Sequence, residues 1–128
     1  MQFDSRIPVY VQIIRYFKVK IASGALAMGA EIPSRRELAK RWKINPNTVQ
    51  RAFKEMEEAK LIYTEGNMPS KVTNDEATIA HIRETLVQEA IEQFISSIHT
   101  LQIPLEEVIV ELEKQYANAV RKGARTDD

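Results

Sequence analysis

No cysteine occurs among the 128 residues, so disulfide bonds and thiolate chemistry are excluded and nothing argues for secretion. Four glycines and five prolines are too few for a low-complexity chain, and no internal repeat is present. No apolar run approaches the roughly 20 residues that a membrane span requires. The opening "MQFDSRIPVY" lacks the basic-then-apolar layout of a signal peptide. These absences point to a cytoplasmic chain that meets no membrane. Its length suits one domain, or a small domain with an appendage.

Net charge is also missing, since 18 Lys and Arg balance 18 Asp and Glu. That zero averages two unlike parts. Residues 1–73 hold 13 basic and 7 acidic side chains, whereas residues 74–128 hold 5 and 11. An asymmetry of this kind suggests that only the first part meets a polyanion. The basic excess is concentrated between Pro33 and Lys54, where seven bases stand against one acid.

Hydrophobic spacing predicts a first helix over residues 8–23, with Tyr10, Ile13, Ile14, Phe17 and Ile21 facing inward. Pro8 suits its start and Gly24 its stop. "GALAMGAEIP" reads as a loop with a short strand at Glu31–Ile32. Ser34 and Glu37 make an S-x-x-E capping box, which predicts a helix from Arg35 to about Lys43 burying Leu38, Ala39 and Trp42. Asn45 as cap and Pro46 as first residue open the next helix. Val49, Ala52, Phe53 and Met56 form its inner stripe. Asn47, Gln50, Arg51 and Lys54 share the opposite face. Two β-prone pieces follow, residues 61–64 and 71–73, around a Gly-Asn turn. This order is that of a winged helix-turn-helix.

Residues 75–99 then predict a long helix, and Pro104 starts a last helix over about 105–121 before a polar, frayed tail. The long helix has apolar residues in adjacent pairs at 86–87, 90–91 and 94–95, a stripe wider than one neighbour covers. A second copy of the chain is expected to cover the remainder through Leu86, Ile91, Phe94, Ile95, Ile98, Leu105, Ile109 and Leu112. The fold class is therefore mainly α. A winged helix-turn-helix spans residues 1–74, and a two-helix dimerisation hairpin spans residues 75–128.

A helix projecting from such a turn fits the major groove of B-DNA, where Asn, Gln and Arg can read base edges bidentately. Asn47, Gln50 and Arg51 are placed to do so. Arg35 and Arg36 lie where backbone N–H groups already favour phosphate. Lys40, Arg41, Lys43 and Lys54 add unspecific attraction. A winged-helix adaptor docking an acidic protein is the alternative; it would more often expose aromatics on that face.

"IPSRRELAKRWKINPNTVQRAFKEMEEAKLIYT" resembles the DNA-binding domain of the GntR family of bacterial transcription regulators, with its P-S-x-R-E-L-A, turn and recognition helix. "FDSRIPVYVQI" and "NPNTVQRAF" are similar to the small YtrA-type subfamily. The resemblance implies DNA contacts from Arg36, Asn47, Thr48, Gln50 and Arg51. It also implies a homodimer on an inverted-repeat operator, and a repressor, often of its own operon with an ABC transporter. The wing departs from the family's basic, Gly-rich form. It reads "EGNMPSKV", with Glu65 where a base is usual, Pro69 where a second Gly is common, and Lys71 as the one basic candidate for DNA. Ala59 and Lys60 also depart from the family's Gly-Leu-Ile and are expected to alter only a helix end.

Nothing points to an enzyme or a cofactor, since no nucleophile elbow, P-loop or dinucleotide fingerprint appears. His81 and His99 lie ~27 Å apart along one predicted helix and cannot share a metal within a chain. About 50 C-terminal residues leave little room for a cavity of the usual ~300 Å³ or more, so no dedicated effector domain is expected.

Overall fold

The computed structural model describes residues 1–126. Two compact units divide the chain, Met1–Gln88 and Glu89–Asp128. Helix α1 (Val9–Ala22) begins after Pro8, whose carbonyl accepts from the N–H groups of Val11 and Gln12. It ends where Gly24 adopts φ +81°, a conformation that side chains with a Cβ disfavour. Gln12 reaches back across this start: its Nε2 donates to the carbonyls of Asp4 and Ile7, and its Oε1 accepts from Asp4 N–H at 2.8 Å. That clamp fixes the N-terminal arm and accompanies an edge-on contact of Phe3 with Trp42.

Helices α2 (Arg35–Trp42) and α3 (Pro46–Glu58) start at the expected caps, although the Glu37 carboxylate accepts from Arg41 and does not close the capping box on Ser34. Ser34 Oγ accepts from Glu37 N–H at 3.1 Å, and Asn45 Oδ1 accepts from Asn47 N–H at 2.9 Å. Between them Lys43 takes the left-handed conformation, and Ile44 N–H closes on the Ala39 carbonyl. The end of α3 is a Schellman motif. Leu61 N–H reaches the Met56 carbonyl and Lys60 N–H reaches that of Glu57, with Lys60 at φ +62°. Lys60 thus occupies a position where glycine fits without strain.

Strands β1 (Ile62–Tyr63) and β2 (Lys71–Val72) pair antiparallel, Ile62 with Val72 and Tyr63 with Lys71. The expected strand at Glu31–Ile32 reduces to a single bridge from Glu31 to Lys71. Gly29 and Ala30 nevertheless bond Val72 on its other side, at 2.9 Å each. Pro33 and the Ser34 cap turn the chain away before a strand can extend.

The core of the first unit joins Ile13, Phe17 and Ile21 of α1 to Leu38 of α2 and to Val49, Ala52, Phe53 and Met56 of α3. All four expected α3 positions are buried. Trp42 is half-buried and collects the rings of Phe3, Tyr16 and Phe17 around it. Tyr10 packs against the core as expected, but only at its border. It is half-buried and takes up a surface arginine as well.

Helix α4 (Glu76–His99) starts at Asp75, which accepts from Ala77 N–H and Thr78 Oγ1. Arg83 donates through Nε and Nη2 to the Ala22 carbonyl, satisfying the end of α1. Only Ile82 of α4 is buried, with Ile79 and Leu86 packed partly on the same core. Helix α5 (Leu105–Thr126) continues five residues past its expected end, so the whole of the basic "RKGART" is helical and not frayed. Residues 127 and 128 of the expected tail lie outside the described residues. Along residues 105–123, Val108 is half-buried and every other side chain is exposed. Among the described residues no helix is long and apolar enough to cross a membrane.

Candidate nucleic-acid interface

Burying Val49, Ala52, Phe53 and Met56 turns the opposite side of α3 outward, and Asn47, Gln50, Arg51 and Lys54 are all exposed there. Thr48 is half-buried beside them. The N-terminal ends of α2 and α3 border a concavity of about 590 Å³, with Arg35, Arg36, Lys40, Asn47 and Gln50 on its walls. A second concavity, of about 820 Å³, lies between the start of α2 and residues 64–70 of the wing. Arg36 and Lys40 are exposed, and together with the N–H groups opening α2 they can attract phosphate.

The arginines of this face divide by environment. Arg35 is held by the fold: its Nη2 donates to Glu57 Oε1 at 2.9 Å, and its guanidinium lies 5.1 Å from the centroid of Phe53. Its Nε is buried without a partner. Neutralised by Glu57 and two-thirds covered, Arg35 is a poorer phosphate ligand than its sequence position suggests. Arg51 stands more open. Its guanidinium lies 3.7 Å from the centroid of Tyr10, Nη2 is 3.1 Å from the Tyr10 hydroxyl, and Nε is 3.5 Å from Glu55 Oε1.

Glu57 has a role that helical spacing does not reveal. Besides Arg35, its Oε1 accepts from Thr64 Oγ1 at 2.9 Å, and Thr64 Oγ1 lies 2.6 Å from Ser70 Oγ. One carboxylate therefore ties α2, α3 and both arms of the wing. The signal available in sequence was an acid four residues after Phe53, on the border of the apolar stripe. In the wing itself, Met68 N–H closes a turn on the Glu65 carbonyl and Gly66 takes φ +55°. Lys71 is half-buried in β2, opposite Tyr63.

Asp4 and Arg6 form an ion pair at the surface before α1. Side-chain and backbone hydrogen bonds from Arg6 hold the Asp4 carboxyl below its ordinary value, and Asp4 raises Arg6 in turn. His81 and His99 are both exposed. Among the described residues no group of three or more His, Cys, Asp or Glu could hold a metal ion.

Comparison with known proteins agrees with this geometry. Residues 9–72 match the profile of the bacterial regulatory proteins of the gntR family. The HTH-type transcriptional repressor YtrA of Bacillus subtilis is 32% identical over 130 residues, covering 99% of both chains. A GntR family transcriptional regulator from Listeria monocytogenes superposes with a TM-score of 0.80 at 35% identity, over 88% of this chain and 98% of that one. A transcriptional regulator from Oenococcus oeni gives 0.69 at 28% identity, over 94% and 96%. These relatives are regulators and not enzymes.

Proposed function

We propose, because this chain belongs to the gntR family of bacterial regulatory proteins, that it is a cytoplasmic repressor binding an inverted-repeat operator as a homodimer. The observation that carries this reading is the face of α3. Asn47, Gln50 and Arg51 are exposed above a fully buried stripe, on a helix whose N-terminus is capped and exposed. These are the side chains that recognise base edges in the major groove. The name of the Bacillus subtilis relative supports repression, and the resemblance to the YtrA-type group extends the reading to its own operon, with an ABC transporter. An adaptor is disfavoured, since positions 47, 50, 51 and 54 carry no aromatic.

The apolar surface of the second unit supports the dimer. Phe94, Ile98, Ile103, Val108 and Leu112 border an open groove of about 660 Å³. Ile91, Ile95, Leu105 and Ile109 are exposed as well. Leu86 differs from these, because the core of the first unit already draws it in. A second copy brings the same surface and removes both from water.

Titration with duplex DNA at several salt concentrations tests the reading. Gln50→Ala should lose ~1–3 kcal/mol and relax discrimination at one base pair. Lys40→Ala should weaken all sequences alike and flatten the salt slope by about one. Binding without preference among duplex sequences would overturn sequence-specific regulation.

A further inference from the structure

We infer that Tyr10 of α1 is a positioning residue for Arg51, fixing that guanidinium in the orientation that reads a base edge; this rests on the DNA-reading function above. The Arg51 guanidinium lies over the ring of Tyr10, 3.7 Å from its centroid, and Nη2 donates to the Tyr10 hydroxyl at 3.1 Å. A stack of this kind uses the face of the guanidinium, whereas base recognition uses its edge. The hydroxyl takes one N–H of that edge and leaves the remainder for a base.

Of the five N–H groups of an arginine, Tyr10 engages one on Nη2 and Glu55 lies near that on Nε. Both N–H groups of Nη1 and the second of Nη2 remain, and the side chain is 59% exposed. Arg35 is held more closely on the same surface: Glu57 bonds it at 2.9 Å and its Nε is buried, whereas Glu55 stands 3.5 Å from the more open Arg51. Tyr10 carries no charge, so it leaves the positive end of Arg51 intact for an acceptor such as a guanine edge.

The platform is itself fixed. Tyr10 stands in the first turn of α1, with Pro8 before it and buried Ile13 after it. A long side chain that is free in solution must be ordered when it binds, and that cost falls on affinity. Ordering Arg51 beforehand against α1 moves the cost into folding. It also makes readout at one base pair depend on a residue 41 positions away in sequence.

The test uses the intact chain and a duplex it selects from a random-sequence pool, with each base pair then substituted in turn. Tyr10→Ala should lower discrimination about two- to five-fold, the range for an exposed cation–π contact, at the base pair that Arg51→Ala relaxes. Other positions and the salt slope should not change. In an Arg51→Ala background Tyr10→Ala should add nothing. Tyr10→Phe, which keeps the stack and loses the hydroxyl, should fall between. Should Tyr10→Ala unfold, Tyr10→Leu keeps bulk without the ring and serves the same comparison. Equal loss on every duplex, or a Tyr10 effect that persists without Arg51, would reduce Tyr10 to a structural role and overturn the inference. Unchanged discrimination in Tyr10→Ala would overturn it too, while leaving DNA reading intact. A wild-type chain that prefers no sequence would remove both.

Discussion

In residues 1–88, Ile13, Phe17, Val49, Ala52, Phe53 and Met56 are almost wholly withdrawn from solvent, whereas in residues 89–128 Ile91, Ile95, Leu105 and Val110 are more than half exposed. Both regions are built mainly of amphipathic helices. The first has three helices converging on one apolar centre, so each stripe finds two others. The second has the end of α4 and all of α5, and two helices cannot enclose a core. Amphipathic spacing specifies a helix and its wet face; it does not supply what covers the dry one. Similar residues thus meet different surroundings: Phe53 stabilises a fold, and Phe94 is exposed where the proposed assembly would cover it.

Phe94→Glu tests that division with the largest expected effect. Placing a charge in the exposed seam should abolish dimerisation and lower operator affinity by about 100- to 10,000-fold, the avidity a linked second site contributes. The first unit should keep its melting transition. Sedimentation, operator titration and thermal unfolding check the three parts. A Phe94→Glu chain that stays dimeric, or that loses the core of residues 1–88, would erase the distinction.

Glu57→Ala probes how the first unit joins its parts. Arg35 would remain partly buried without its carboxylate, and Thr64 would lose an acceptor. Destabilisation of ~1–3 kcal/mol is expected, toward the lower end because the pair is about one-third exposed. Denaturant unfolding measures it. Hydrogen exchange should rise in residues 64–70 before it rises elsewhere.

Lys60→Gly should give the smallest change, and of opposite sign. Removing the Cβ relieves the left-handed strain of ~1–2 kcal/mol, and the added freedom of the unfolded chain offsets part of that. A net gain of up to about 1 kcal/mol should appear as a raised melting temperature, with no effect on assembly.

What the sequence disclosed follows the range of the forces involved. Ser34, Asn45 and Pro46 marked helix starts because a cap bonds its own neighbours within three residues. The α3 stripe was legible because 3.6-residue spacing needs no partner to be seen. The Tyr10–Arg51 stack and the Glu57 bonds to Arg35 join residues 41 and 22 apart, and no local rule connects them. Tyr10 fits the inward spacing of α1 yet lies on its border, where an arginine from α3 decides its role. Helix α5 outruns its expected end because a basic, polar run resembles a loose tail, although Arg and Lys are good helix formers. The segment at Glu31 resembles a strand in sequence yet forms one bridge, because β-propensity does not count available partners.

The short strand β2 has one further consequence. Val72 is fully buried, its N–H bonds Ala30, its carbonyl accepts from Gly29, and its other edge is paired with Ile62. No fluctuation confined to the wing tip at residues 65–68 exposes that amide. Its exchange with solvent deuterium requires the segment at Ala30 to part from β2, so one backbone proton times the opening of that pairing and not of the wing tip. Amides at the tip would exchange on their own clock. The ratio of the two rates would separate a ligand that quiets the wing from one that stabilises that pairing.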